Sequence, residues 1–209
     1  MKKLQNKVVL VTGGAGFIGS HLCDELLKNK AKVIAVDNLL TGKLENLADA
    51  QKNENFQFIE GDVNDYNFLK SVFEKNKIDY VFHYAAVLGV KRVMEQPMLV
   101  VDDVVGIKNV LSLAKDFHVS KVIFSSSSEV YGTLNELPLK EDNNKELLYQ
   151  THSTSLYAIV KLIGEKLMKI YNDNYKVPTC SLRFFNVFGE RQESSSYGFV
   201  VGVFIKQVL

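Results

Sequence analysis

An apolar run broken by closely spaced glycines, Val8-Val9-Leu10-Val11-Thr12-Gly13-Gly14-Ala15-Gly16-Phe17-Ile18-Gly19, constrains this 209-residue chain more than any other feature. The run before the glycines reads as a buried strand, and the apolar spacing from Phe17 to Lys28 reads as a helix. A glycine turn between a strand and a helix lets backbone approach a pyrophosphate closely, and the helix N-terminus offers it unpaired N–H groups. The glycines parse as Gly14-x-Gly16-x-x-Gly19 or, with a wider first gap, as Gly13-x-x-Gly16-x-x-Gly19. A second strand, Lys32 to Val36, then ends in Asp37-Asn38. An acid at this separation from the glycines accepts hydrogen bonds from ribose hydroxyls and repels a 2′-phosphate, so Asp37 favours NAD over NADP. Glycines that merely build a tight turn, with Asp37 capping a loop, are the competing explanation; strand, helix and acid in the right order outweigh it.

Strand-like runs recur at Val8–Val11, Val33–Val36, Phe56–Ile59, Tyr80–His83, Lys121–Ser125 and Thr179–Phe185, with helical patterns at Phe17–Lys28, Tyr66–Lys75, Met98–Lys115 and Leu156–Tyr175 between them. This alternation predicts an α/β fold: a doubly wound, Rossmann-like parallel sheet with helices on both faces. The longest irregular stretch, Gly132 to Thr154, follows the carboxyl end of a strand, where open α/β sheets bind ligands, and is expected to flank a substrate. Lys and Arg number 25 against 24 Asp and Glu, a net charge of +1 with no block of one sign, so neither nucleic acid nor an anionic membrane is an expected partner. The apolar run after Lys2-Lys3 is cut short by Thr12-Gly13-Gly14, too soon for a signal peptide, and no run is long enough to span a membrane. Cys23 and Cys180 lack metal or redox spacing and read as small buried residues of a soluble, cytoplasmic protein; no metal site is expected.

Tyr157 and Lys161 stand at i and i+4, on one helix face, where an ammonium would stabilise a phenolate and lower the tyrosine pKa towards that of a general base. Tyr66 and Lys70 share the spacing but follow the third strand, near the adenine half of the expected cofactor site, and read as a surface pair. Tyr157 instead follows the strand ending in Ser125-Ser126-Ser127-Ser128-Glu129, whose hydroxyls suit a substrate oxygen. His83, at the end of a buried strand, reads as a satisfied core histidine, and His21, His118 and His152 have no acid or metal spacing.

Taken jointly, Thr12 to Gly19, Asp37-Asn38, Gly61-Asp62-Val63, His83-Tyr84-Ala85-Ala86, the serine strand, Tyr157/Lys161 and Leu182 to Gly189 make the chain resemble the extended short-chain dehydrogenase/reductases of the nucleotide-sugar epimerase/dehydratase family. The resemblance implies a tightly held NAD on Gly13, Gly16, Phe17, Ile18, Gly19, Asp37 and Asn38, with Asp62 and Val63 at the adenine and Ala85 and Ala86 near the phosphates and ribose. It implies that Ser127 hydrogen-bonds the sugar hydroxyl being oxidised, Tyr157 is the base, Lys161 also grips the nicotinamide ribose, and Ser128 and Asn186 touch the nucleotide-sugar substrate. For Asp62 a helix cap, for Asn186 a turn and for Glu129 a solvated loop carboxylate are the plainer alternatives. A homodimer is implied for the full-length form. Residues 1–178 would form the NAD-binding domain carrying Ser127, Tyr157 and Lys161, and 179–209 the last strand and the start of an incomplete substrate region.

The chain also departs from the family pattern. Asp102-Asp103 stand where asparagine usually precedes Val-x-Gly, Val160 replaces a small polar residue, and Glu190 replaces a proline. Family members continue well past this length, so most of the substrate domain is expected to be missing and the chain to be a fragment or a shortened product. The implied activity runs through a 4-keto sugar, as a 4-epimerase or a decarboxylase on a UDP-sugar, with Glu129 serving in the latter. A sugar-nucleotide 4,6-dehydratase is a weaker alternative, because Ser128 stands where dehydratases carry an aspartic acid. A non-catalytic NAD-binding or interaction protein is the alternative of another class.

Overall fold

The computed structural model describes residues 4–87, 90–132, 137–141, 155–193 and 200–208. Six strands, β1 (Val8–Thr12), β2 (Lys32–Asp37), β3 (Phe56–Glu60), β4 (Tyr80–His83), β5 (Lys121–Ser127) and β6 (Thr179–Phe184), form one sheet in the order β3-β2-β1-β4-β5-β6. Every pairing is parallel, and Thr12 sits in register with both Val36 and His83. Strand order reverses between β1 and β4, which opens a crevice at their carboxyl ends, the place where doubly wound sheets take ligands. The expected fold class is the observed one. β1 and β2 are runs of Val, Ile, Leu and Ala buried on both faces, as a parallel sheet covered by helices requires.

The helices are α1 (Phe17–Lys28), α2 (Tyr66–Lys75), α3 (Val90–Glu95), α4 (Pro97–Asp116), α5 (Ser155–Tyr175) and α6 (Val200–Val208). The expected helices appear, two of them slightly longer, because Pro97 at the start of α4 has a φ preset for a first turn and Ser155 extends α5. Helix α3 escapes the periodicity, being too short at six residues to display a face. Two apolar layers hold the sheet: Leu10, Ile34, Val81, Val122 and Phe124 pack under α2, α4 and α5, and Val9, Val11, Val33 and Ala35 pack under α1. Sheet strand β6 joins β5 through six paired residues, from Val122↔Thr179 to Ser127↔Phe184.

Most of the irregular stretch expected beside a substrate lies outside the described residues, as do His152, Phe199 and Leu209. No helix among the described residues is long and apolar enough to cross a membrane.

Candidate active site

A cavity of about 1000 Å³ opens over the carboxyl ends of the strands. Every site residue named from the sequence lines it: the glycine turn, Asp37, Asn38, Asp62, Val63, Ala85, Ala86, Ser127, Ser128, Glu129, Tyr157, Lys161 and Asn186. Elements far apart in sequence converge because all of these positions follow, or end, a strand or open a helix at one edge of the sheet.

The glycine turn is shaped by exclusion. Gly13 has φ +69°, and a Cβ there would stand 2.6 Å from the Ala85 nitrogen, so β4's exit packs directly on the turn. A Cβ on Gly19 would collide with the Gly13 carbonyl oxygen. Gly16 caps α1 without any side-chain acceptor, and the first turn holds no acidic residue. Unsatisfied N–H groups at a helix start, beside backbone with no side chain to block approach, suit the phosphate oxygens of a dinucleotide.

Asp37 does two things at once. Its Oδ2 accepts from Ala15 N at 3.0 Å and its Oδ1 from Leu39 N at 2.9 Å, so it ties the glycine turn to the end of β2 while facing the cavity. Burial pushes its carboxyl up, and the backbone N–H bonds pull it back down. Neighbouring Asn38 donates to Asp62 Oδ2 at 3.0 Å, and Asp62 Oδ1 accepts from Asn64 N. Asp62 does not cap the following helix; Asp65 does, accepting from Asn67 N and Phe68 N. Asn109 on α4 donates to the carbonyls of Val63 and Asn64 and holds that loop in place.

Ser127 closes β5 and its hydroxyl accepts from Glu129 N at 3.2 Å, and it lines the same cavity as Tyr157, whose phenol it pulls slightly down. Lys161 is 3% exposed, its Nζ 5.5 Å from the Tyr157 ring centroid and 5.0 Å from that of Phe124. Helical spacing brings tyrosine and lysine onto one face, but the expected electrostatics need correction. Burial pushes the Tyr157 phenol well above its usual value, with Asp103 and Glu129 adding to the rise. Burial also lowers Lys161 to about 8. The ammonium lies over ring faces and is itself desolvated, so the protein's own groups hold Tyr157 protonated at neutral pH. Tyr66 and Lys70 are far from this arrangement: Tyr66 is exposed and Lys70 pairs with Glu74 at 3.5 Å.

His83 is buried as expected, yet only partly satisfied. Its Nδ1 meets Thr12 Oγ1 at 2.8 Å, while Nε2 is buried without a hydrogen-bond partner. Burial and the charge of Lys161 push its pKa down to about 3. His21 donates to the Glu190 carbonyl at 3.0 Å, and His118 lies exposed beyond α4. Cys23 is buried and Cys180 half-buried. Among the described residues no His, Cys, Asp and Glu side chains gather closely enough to hold a metal ion.

Several contributors have roles that their motif position or spacing does not reveal. Thr12, the last residue of β1, accepts from Tyr84 N at 3.2 Å and Ala85 N at 3.3 Å, and so fixes the turn after β4. Asp103 lines the cavity and receives Val87 N on both oxygens at 3.1 and 3.3 Å; its departure from asparagine was the one available clue. Burial raises it to about 7. Glu165 on α5 binds Arg183 on β6 through both of its oxygens, each at 2.8 Å, and accepts from Ser126 at 2.6 Å, which locks α5 to the strand beneath it.

Comparison with known proteins agrees with this arrangement. A putative UDP-glucose 4-epimerase of Methanocaldococcus jannaschii is 35% identical over 204 residues, covering 97% of this chain and 63% of the relative. The solved structure of a UDP-N-acetylglucosamine 4-epimerase from Methanobrevibacter ruminantium M1, in complex with UDP-N-acetylmuramic acid, is 38% identical with a TM-score of 0.86, covering 98% of this chain and 63% of that one. A UDP-glucose 4-epimerase from Thermotoga maritima, solved with UDP-glucose, is 34% identical with a TM-score of 0.86, covering 96% and 62%. The chain thus spans less than two thirds of the length of these relatives. Residues 9–209 match the family described as NAD dependent epimerase/dehydratase, and the chain belongs to that family.

Proposed function

We propose that the chain is the cofactor-binding and catalytic part of an NAD-dependent nucleotide-sugar 4-epimerase acting on a UDP-sugar. The observation that carries this reading is the convergence of Ser127, Tyr157 and Lys161 on the cavity that also holds the glycine turn and Asp37. The α1 N-terminus would hold the pyrophosphate of NAD, Asp37 the adenosine ribose, and the Asp62–Val63 loop the adenine. When bound, oxidised NAD supplies a hydride acceptor and a positive charge that favours the tyrosine phenolate. Tyr157 then takes the proton of the sugar 4-hydroxyl, which Ser127 orients; the 4-keto sugar turns over, and Tyr157 returns the proton when the opposite face is reduced. Lys161 orients the ribose and Asn186 contacts the diphosphate of the substrate.

Both solved relatives named above are called 4-epimerases, which favours inversion over loss of carbon dioxide. Ser128, a far weaker acid than a carboxyl group, gives elimination of water little support. Residues 1–178 would be the NAD domain and 179–209 the beginning of a substrate region. Exposed Met98, Val101 and Val105 on α4 and Ile159, Ile163 and Ile170 on α5 form an apolar surface suited to a second copy, hence a homodimer. Two free cysteines fit a cytoplasmic setting. The test is incubation of the protein with UDP-glucose, UDP-glucuronate and their N-acetyl relatives: inversion without mass change is expected, whereas release of carbon dioxide or water would replace epimerisation with decarboxylation or dehydration.

A further inference from the structure

Beyond the residues expected to touch the cofactor, α1 presents a second stripe. Phe17, His21 and Asp24 lie at i, i+4 and i+7, on one face of the helix. Three consecutive residues of the segment after β6 run along that stripe. Gly189 faces the Phe17 ring, where a Cβ would stand at 3.6 Å; the Glu190 carbonyl accepts from His21 Nε2 at 3.0 Å; and Arg191 Nη2 meets Asp24 Oδ2 at 2.8 Å. The Arg191 and Asp24 side chains are only 22% and 19% exposed, so this ion pair is shielded far more than a surface one. Phe17 packs edge-on against His21, 5.7 Å between centroids, which steadies the imidazole. Two residues further on, Glu193 stands 4.0 Å from Arg92 on α3. Residues from Phe184 to Phe188 and from Arg191 to Glu193 line the cavity whose floor is the glycine turn.

We infer that the Arg191–Asp24 pair, backed by His21 and the Glu190 carbonyl, is a clasp that holds the 185–193 segment over the glycine turn and sets how long a dinucleotide stays bound. The inference rests on the NAD reading above. A dinucleotide seated at the start of α1 has the strap on its open side. Leaving then requires the strap to part from the helix, which breaks the ion pair and the His21 bond together. Asp24 and Arg191 are positioning residues: they act on the ligand by fixing the strap.

The experiment is stopped-flow displacement of NADH, followed by its fluorescence, from the 209-residue chain and its variants. Asp24→Asn and, independently, His21→Gln are expected to raise the dissociation rate, the first by about tenfold, corresponding to ~1.4 kcal/mol, with the association rate changed much less. The exchanged pair Asp24→Arg/Arg191→Asp is expected to recover slow dissociation, which a general loss of packing would not allow. Thermal melting of the ligand-free variants separates a folding defect from a clasp defect. Dissociation within twofold of wild type in both single variants would overturn the clasp while leaving NAD binding intact. Failure of the unaltered chain to bind NADH at all would instead overturn the cofactor reading and the clasp with it.

Discussion

The Thr12 hydroxyl and His83 Nδ1 stand 2.8 Å apart, joining β1 to β4 at the point where strand order reverses. Thr12 Oγ1 already accepts from Tyr84 N and Ala85 N, so its one proton goes to Nδ1, which places the ring proton on Nε2. A single oxygen therefore organises the cavity floor. Thr12→Val keeps the shape and leaves Ala85 N and His83 Nδ1 without this partner, while Tyr84 N keeps the Thr12 carbonyl at 3.1 Å. A loss of about 2–3 kcal/mol is expected, from unsatisfied buried groups costing ~1–3 kcal/mol each. Urea denaturation checks this, and Thr12→Ser, which keeps the oxygen, should restore most of the loss.

Burial raises the carboxyl of Asp103 on α4 from the ordinary 3.8 to about 7. Between those values the folded chain binds a proton that the unfolded chain has lost, so this group's contribution to stability falls as pH rises from about 4 to 7 and is flat below. His83 acts in the opposite sense: its depressed pKa costs stability as pH falls below 6.5. Subtracting the two profiles isolates Asp103. Asp103→Asn should be no more stable than the parent relative to it at pH 4 and gain at least about 1 kcal/mol by pH 7, below the ~4 kcal/mol ceiling set by 1.36 kcal/mol per pH unit because water reaches the group. Denaturation curves at both pH values decide it; an unchanged difference would show that Asp103 is ionised in the folded chain.

How much of this was legible depended on whether a residue's role is local. The strand–glycine–helix order, the six strands and the Tyr157/Lys161 face are properties of short windows, and the sequence expectations match the sheet and helices closely. Thr12, Asn109 and Glu165 act on partners 18 to 73 residues away, as with Asn109 to Val63, Thr12 to Ala85 and Glu165 to Arg183, and no spacing rule reports such contacts. The pKa of Tyr157 was misjudged for a related reason. The i, i+4 lysine is visible, but the packing of Val93 on α3 and Val100 on α4 around Tyr157 and the Asp103 charge come from distant elements and outweigh it.

Tyr157→Phe should leave cofactor affinity nearly unchanged and reduce turnover by about 10²–10⁴-fold, since only proton transfer is lost. Tyr66→Phe, on the exposed side of α2, should be near neutral. Equal losses from both, measured as kcat on the accepted UDP-sugar, would show that the reacting phenol is elsewhere.

Asp37 links cofactor choice to the architecture of the turn. Asp37→Ala should weaken NAD more than NADP, because the ribose acceptor and the charge opposing a 2′-phosphate go together. It should also lower stability, since Ala15 N and Leu39 N lose their acceptor. Titration of both dinucleotides against parent and variant checks the first effect and thermal melting the second; tighter NADP binding by the parent would refute the preference.

Helix α6 carries largely exposed apolar side chains among the described residues: Val200 is 65% exposed, Phe204 60%, Ile205 55% and Val208 86%. No residue of this helix is buried. Phe185 and Phe188, on the approach to it, are 58% and 71% exposed. Clustered apolar surface of this kind drives association in water. The 209-residue chain should therefore self-associate beyond the proposed dimer and bind UDP-sugars weakly, because Val200 and Val201, which line the cavity, are 65% and 43% exposed. Light scattering coupled to size exclusion reads the association. Phe204→Ser with Val208→Ser should shift it towards the proposed dimer, while substituting Ile159 and Ile163 on α5 with serine should weaken that proposed dimer. A single sharp dimer peak from the unaltered chain, with full turnover of UDP-sugar, would mean that the α6 face needs no cover.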